Sequence, residues 1–518
     1  MRGIETGKTR IRHAVFTEIA RMAYEGGDYA RKLEELPYKI CPGEPDEMGP
    51  YRTNVLIERA VVGQRLRLAM GLPTSKLGEY NTISDDIDKA ALPESYYEPP
   101  LINVIKFACN RCPDNIVKVT DCCQGCLEHP CMEVCPRKAI SKINGKAHIN
   151  QDLCIKCGRC VQACPFTAIV KQVRPCKRAC GVNAIGKDEL GRATIDYKKC
   201  TACGQCLANC PFGAISDKSQ IFQTISTIKS GVPVYAALAP AFVGQFGKDA
   251  TPDKMRGLFK QLGFTDVYEV AIGADLCVIE EAQDFLKEVP TTHKFMATSC
   301  CPSWCDMVRK MFPDMADNIS VAMTPMVLTA RLIKEQHPES KVVFVGPCDA
   351  KKLEARRTTV RSDVDFVLTF EEVLGMFEAK GIDKDAILAE ADEPLKQAGT
   401  DGRNFAVTGG VAGAVVNAIK RIDPTREVKV VKAAGLSECR KLLLEARAGK
   451  WDGYLLEGMA CPNGCISGAG TLKPFDKSAR EVAQFADSAD FSCSYDTEYK
   501  EYLPLIEADA KNDSEIKQ

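Results

Sequence analysis

Three things are missing from this chain. No stretch approaches the roughly eighteen consecutive apolar residues that a membrane-spanning helix needs. The opening residues, MRGIETGKTRIRHAVFTEIARMA, contain no apolar core, no small-residue cleavage site and no twin arginine, so they do not read as an export signal. Neither sign of charge dominates. With 68 basic and 69 acidic residues the formal net charge is −1, which gives no electrostatic reason to expect nucleic acid or an anionic membrane as a partner. The expectation is a cytoplasmic protein in a reducing compartment. Its apolar and charged fractions, 45% and 26%, are those of a soluble globular chain. At 518 residues it exceeds one hydrophobic core and suggests about three domains.

Cysteine is scarce at first and then abundant. Residues 1–105 hold only Cys41, whereas 17 of the 27 cysteines fall between Cys109 and Cys210. In a small secreted protein such density suggests a disulfide scaffold; under reducing conditions metal ligation is the better reading. The sequence divides into a helical N-terminal region and linker (1–105), a cysteine-rich block (106–220) and a longer region (221–518) ending in a mixed tail. RHAVFTEIARMAYEG and NVLIERAVVGQRLRLAMGL carry apolar residues at helical spacings. The first resembles an amphipathic docking helix, though packing on a neighbouring domain explains it equally. NTISDDIDKAALPESYYEPP (81–100) reads as a linker and EADAKNDSEIKQ as a frayed end. From about 231, β-type runs (VPVYAALAP, KVVFVGP, FAVTGG, REVKVVKAAG) interleave with helical stretches such as KMRGLFKQLGF, predicting an α/β region with largely parallel sheet.

Within the block, Cys154-x2-Cys157-x2-Cys160-x3-Cys164-Pro165 and Cys200-x2-Cys203-x2-Cys206-x3-Cys210-Pro211 have the bacterial ferredoxin spacing. In that run three thiolates take three corners of a 4Fe–4S cubane and the fourth ligates the other cluster of a pair. A looser copy, Cys123-x2-Cys126-x4-Cys131-x3-Cys135-Pro136, and a half-motif, Cys176-x3-Cys180, complete a fourfold pattern. All four copies are followed by Ala-Ile: Ala139-Ile140, Ala168-Ile169, Ala184-Ile185 and Ala214-Ile215. Cys109-x2-Cys112 could supply the pair the half-motif lacks, although a lone CxxC is also a zinc half-site. The swap rule then groups Cys123, Cys126 and Cys131 with Cys164, and Cys154, Cys157 and Cys160 with Cys135. It also groups Cys200, Cys203 and Cys206 with Cys180, leaving Cys109, Cys112 and Cys176 with Cys210. Cys122 competes with its neighbour Cys123. The pattern predicts two ferredoxin-like α+β units and two to four cubanes, which carry single electrons across a protein.

Three further motifs lie in the α/β half: TSCCPSW (298–304), GPCDAKK (346–352) and EGMACPNGC (457–465). Their order and chemistry resemble the three signatures of the iron-only ([FeFe]) hydrogenase catalytic domain, over residues 231 to 475. The resemblance implies a two-lobed α/β domain and an H-cluster, a cubane bridged to a two-iron centre with carbonyl, cyanide and dithiolate. Its ligands would be Cys301, Cys348, Cys461 and Cys465, the last as bridge, with Met459 retained beside them. It implies that Cys300 relays protons, where alone it would read as a small buried hydrophobe, and that Lys351 contacts a cyanide. Lys352 is expected on the solvated surface. GADLCVIEE (273–281) makes Glu281 the next relay group, with Ser320 and Asp284 beyond it, though these two could equally be a cap and a surface charge. Residues 281 and 284 would share a helix face.

The chain departs from the family pattern at Gly346 (commonly methionine), Ala241 (serine), Met326 (glutamine) and Gly458 (a second cysteine). The implied activity is reversible reduction of protons to H2, with ferredoxin or a similar soluble carrier and the H-cluster maturation proteins as partners. Rival readings are a hydrogen or redox sensor and a non-enzymatic iron–sulfur assembly protein.

Overall fold

A computed structural model describes residues 3–49, 51–76, 78–92, 98–388, 395 and 397–508. Three helices open the chain, Gly7–Glu25, Tyr29–Ile40 and Val55–Ala69, started by the side-chain caps Thr6, Asp28 and Asn54. They form no separate bundle. Val15, Phe16, Ile19 and Ala20 of the first helix share one core with Phe222 and Ile225 of helix Ile221–Lys229 and with Phe370 and Phe377 of helix Phe370–Lys380. Among the described residues, the face that resembled a docking surface is therefore covered by the chain itself. The expected linker is also partly packed: Ile87–Ala90 form a helical turn whose Ile87 and Ala90 enter the same core. Residues 93–97 of that linker and 509–518 of the expected frayed end lie outside the described residues.

The cysteine-rich block holds two nested units. In one, strand Ile116–Val119 pairs antiparallel with Ile169–Gln172, and Ile140–Ile143 with Lys146–Ile149. Its core is its own: Val117, Cys131, Ile140, Ile149, Cys160 and Ile169. The other unit brackets it in sequence, with Ile102–Val104 paired to Ile215–Asp217 and Ile185–Lys187 to Ala193–Ile195. Its core takes in Val61 and Leu68 of the N-terminal helices and touches Leu353 of the α/β half.

The α/β half has two parallel sheets. One runs in the order Asp266–Glu269, Val234–Leu238, Lys341–Gly346, Phe366–Thr369; the other runs Met296–Ala297, Tyr454–Met459, Lys429–Ala434. FAVTGG, expected as a strand, is instead a 3-10 turn, Asn404–Ala406, leading into helix Gly410–Ile422. Glu457 accepts hydrogen bonds from the Gly409 and Ala412 amides (2.6 and 2.9 Å), fastening that helix start to the second sheet. No helix among the described residues is long and apolar enough to cross a membrane.

Candidate metal centre

The cysteines of the α/β half come together where its parallel strands end, the usual site in such sheets. Cys348 follows strand Lys341–Gly346, and Cys461 and Cys465 follow Tyr454–Met459. Cys301 caps helix Pro302–Met311 just after Met296–Ala297. All four line one cavity of about 80 Å³, with Cys300, Lys351, Met459, Met326 and Ala241. Burial pushes the thiols of Cys301, Cys348, Cys461 and Cys465 upward. The Ala460 amide donates to the Cys301 sulfur at 3.4 Å, and Lys351 is the one cation lining the cavity. Four thiols in so dry a place ionise only beside positive charge, which a bound iron cluster supplies. The donor set therefore fits the cubane implied by the resemblance.

Two departures from the family pattern have steric reasons. A β-carbon at Gly458 would lie 2.2 Å from the Trp304 ring, whose indole N–H donates to the Thr298 carbonyl at 3.2 Å. At Gly346 it would lie 2.5 Å from Phe344, which itself lines the cavity. Larger rings thus occupy the space of the missing side chains.

Lys351 makes a 2.7 Å ion pair with Glu354, which also accepts from the Thr324 hydroxyl at 2.7 Å. Burial lowers the ammonium pKa, but Glu354 and the nearby Cys348 and Cys300 sulfurs outweigh it and hold Lys351 protonated. Glu281, wholly buried on helix Val270–Glu288, accepts from the Ser299 amide (2.8 Å) and hydroxyl (3.2 Å). Burial raises its carboxyl to about 7, against the pull of Ser299 and Ser320. Cys300 is pushed well up by burial and by Glu281. Asp284, partly exposed, acts on Glu281 from one turn further along. Glu354 and Ser299 escape a reading by motif: Glu354 lies beyond the PCDAKK run, and Ser299 looked like a spacer before the cysteine pair.

Lys352 is not on the surface. It is fully buried, paired with Asp217 at 2.8 Å and Glu372 at 2.9 Å. Arg12 of the first helix pairs with the same Asp217 (3.2 Å) and with Glu371 (2.7 Å). Spacing alone cannot show that three segments bring carboxylates to one lysine.

The block's cysteines gather in fours. One small cavity is lined by Cys123, Cys126, Cys131 and Cys164, another by Cys135, Cys154, Cys157 and Cys160. Cys122 is exposed and lines neither. In the bracketing unit, Cys180 acts electrostatically on Cys200, Cys203 and Cys206, and Cys210 on Cys112 and Cys176. The Ala-Ile repeat has a chemical role: the Ala139, Ala184 and Ala214 amides donate to the Cys135, Cys180 and Cys210 sulfurs at 3.2, 3.2 and 3.4 Å. Among the described residues, no three His, Cys, Asp or Glu side chains close tightly enough to hold a single metal ion; a zinc site at Cys109 and Cys112 finds no support in this geometry.

The bracketing unit reaches the larger cavity directly. Cys203 lines it, and the Gln205 amide donates to the Cys461 sulfur (3.5 Å) and the Ser467 carbonyl (3.4 Å). The Ser303 hydroxyl donates to the Thr201 carbonyl at 2.9 Å.

Comparison with known proteins places these features in a family. Residues 232–469 match the family described as "Iron only hydrogenase large subunit, C-terminal domain", and residues 147–170 and 193–216 match "4Fe-4S binding domain". Iron hydrogenase 1 of Clostridium pasteurianum is 28% identical over 371 residues, 62% of this chain and 64% of that protein. The NADP-reducing hydrogenase subunit HndD of Solidesulfovibrio fructosivorans is 30% identical over 364 residues, 61% of this chain and 56% of its own length. Cytosolic iron-sulfur assembly component 3 of Bos taurus is 26% identical over 299 residues, covering 48% of this chain and 62% of that one. The chain thus spans less than two thirds of the length of each of these relatives. An apo [FeFe]-hydrogenase HydA1 from Chlamydomonas reinhardtii superposes with a TM-score of 0.43 at 23% identity, over 52% of this chain and 89% of that one. Through residues 232–469, with 4Fe–4S binding domains ahead of them, the chain belongs to the iron-only hydrogenase large-subunit family.

Proposed function

We propose that the chain catalyses 2H⁺ + 2e⁻ ⇌ H2, taking electrons from ferredoxin or a similar soluble carrier after loading by H-cluster maturation proteins. The observation that carries this reading is the shared cavity: four thiols from three distant loops, a fifth at Cys300 and the ammonium of Lys351. A cubane joined to a two-iron unit, when bound by Cys301, Cys348, Cys461 and Cys465, supplies the metal-centred redox chemistry.

The protein's own share is wiring, proton supply and exclusion of water. Lys351, locked by Glu354, places a fixed positive charge beside the anionic group. Glu281, with its carboxyl near neutrality, holds a proton on the Ser299 side of Cys300, and Ser320 and Asp284 lead outward from it. Cys203 and Gln205 bring the inner accessory site against Cys461, a short route for electrons.

The likeness to cytosolic iron-sulfur assembly component 3 supports a second reading, a cluster-carrying protein without hydrogen chemistry. Infrared spectroscopy and gas chromatography on the matured protein separate the two. Hydrogen evolution from reduced dye, with carbonyl and cyanide bands, is the expected result. A loaded two-iron site that neither evolves nor consumes H2 rejects the enzyme reading, and absence of the bands after maturation favours the second.

A further inference from the structure

Three cations of the N-terminal helices converge on one accessory site. Lys8 donates to the Ala208 carbonyl (2.8 Å), Arg52 to the Phe212 carbonyl (2.8 Å) and Arg65 to the Gly213 carbonyl. All three carbonyls belong to the turn around Cys210, grouped above with Cys109, Cys112 and Cys176. Arg65 is 5% exposed, and its Nε has no hydrogen-bond partner among the described residues. None of the three forms an ion pair there. Asp217 and Glu371, which act on Arg65 and Lys8 from a distance, are already paired with Arg12; Glu58 acts on Arg52. Three positive charges, one deeply buried, thus face the Cys210 sulfur without a carboxylate held against them. Burying a cation unpaired is costly, and an anionic cluster at the thiolates offsets that cost.

The internal repeat shows how the cations come so near. The residue before the Ala-Ile of each copy has a left-handed backbone: Lys138 (φ 47°), Thr167 (φ 50°), Asn183 (φ 53°) and Gly213 (φ 56°). Three copies carry a side chain there. The fourth has glycine, and a β-carbon on it would lie 2.4 Å from Arg65 Nη2 and 3.2 Å from Lys8 Cγ. Of the four turns, this one is bare where the cations approach.

We propose that the N-terminal region is an electrostatic cap, with Lys8, Arg52 and Arg65 as positioning residues that raise the reduction potential of the cubane held by Cys109, Cys112, Cys176 and Cys210. Reduction adds one electron from the external carrier, and so one negative charge. Nearby cations favour the reduced form, most strongly where water is excluded. This rests on the accessory-cluster part of the proposed function and is independent of the two-iron site.

The test is a redox titration followed by EPR on the full chain carrying its 4Fe–4S clusters, with an iron count on each sample. The signal missing from Cys112→Ser identifies the cluster. In Lys8→Gln, Arg65→Gln and Gly213→Asn its midpoint is expected to move negative while the other accessory midpoints stay in place. Arg65→Gln should move it furthest, and Arg65→Lys should restore most of the shift. Asparagine tolerates the left-handed backbone, so Gly213→Asn displaces the cations without undoing the turn. If Arg65→Gln loses the cluster's iron, Lys8→Gln and Gly213→Asn decide the matter. Iron-replete variants with unchanged midpoints, or with all midpoints shifted together, overturn the proposal. A wild-type iron count lacking this cluster overturns the underlying cluster reading instead.

Discussion

Replacing Lys352 with methionine should be among the most damaging single changes available outside the metal sites. Its ammonium lies 2.8 Å from Asp217, 2.9 Å from Glu372 and 2.8 Å from the Lys218 carbonyl, with no solvent exposure of either ion pair. Methionine fills much of the volume but leaves two buried carboxylates with one lysine fewer, and Arg12 is already shared between Asp217 and Glu371. Removing one partner of such a pair costs about 3–5 kcal/mol. In a cooperative unit of 150–250 residues that is a fall of roughly 6–20 °C in unfolding temperature.

The sign with pH follows from Asp217. Burial raises its carboxyl, but Lys352 and Arg12 hold it well below the usual range. Its contribution is therefore present above the unfolded pKa of 3.8 and lost as pH falls below it. Without Lys352 the carboxylates protonate more readily. The deficit of Lys352→Met should be largest near pH 8 and narrow toward pH 5. Scanning calorimetry at both values measures it, with the exposed pair Arg31–Glu35 as a control whose loss changes nothing measurable. A drop under about 2 °C, or an equal drop at both pH values, would refute the account of Lys352 as the cation of a buried network.

Glycine 458 should resist the family's cysteine: Gly458→Cys drives a side chain into Trp304, costing about 1–3 kcal/mol of stability in thermal unfolding, and an unchanged midpoint contradicts the steric explanation. Asp275 is wholly buried, accepting from the Ser494 hydroxyl at 2.6 Å and the Gly399 amide at 2.8 Å, and burial raises its carboxyl from 3.8 to about 7. The folded state thus binds the proton more tightly, so stability falls by about 4 kcal/mol as pH rises from 3.8 to 7; Asp275→Asn should flatten that part of the stability–pH curve. Glu281→Gln and Cys300→Ala should each lower hydrogen turnover by about 10²–10⁴-fold with iron content and infrared bands retained. Turnover within a factor of two of wild type in either variant removes that residue from the proton route.

Local features were legible in the sequence; convergence was not. The helix caps, the strands at 234–238 and 341–346 and the cysteine runs all depend on residues close together in the chain, and each can be read from spacing. FAVTGG misled because its apolar start and paired glycines suit a strand ending, whereas Glu457, some fifty residues away, captures the amides of Gly409 and Ala412 and starts a helix. Lys352 misled for a similar reason. A lysine next to another lysine on a short helix looks solvated until the chain delivers Asp217 and Glu372 to it. Ser299 and Gln205 matter through contacts to Glu281 and Cys461 made across the fold, so no motif marked them.

The nesting of the two cysteine-rich units has a consequence for wiring. A segment inserted in another unit's sequence enters and leaves at one place, so it can form a closed core of its own; residues 117–169 do. The bracketing unit must join its first strand, Ile102–Val104, to its last, Ile215–Asp217, across that insertion. Both flanks then lead directly into the rest of the chain, one to the N-terminal helices and the other, through Asp217, to Lys352 and Arg12. The unit closest to Cys461 is thereby held by buried charge and shared apolar core, while the inserted unit's short strands pair only with one another. An electron relay needs its shortest gap to be its most rigid, since tunnelling weakens steeply with distance. The covalent topology puts the rigid unit at the catalytic cavity and leaves the self-contained one on the outside, where a soluble carrier would meet it.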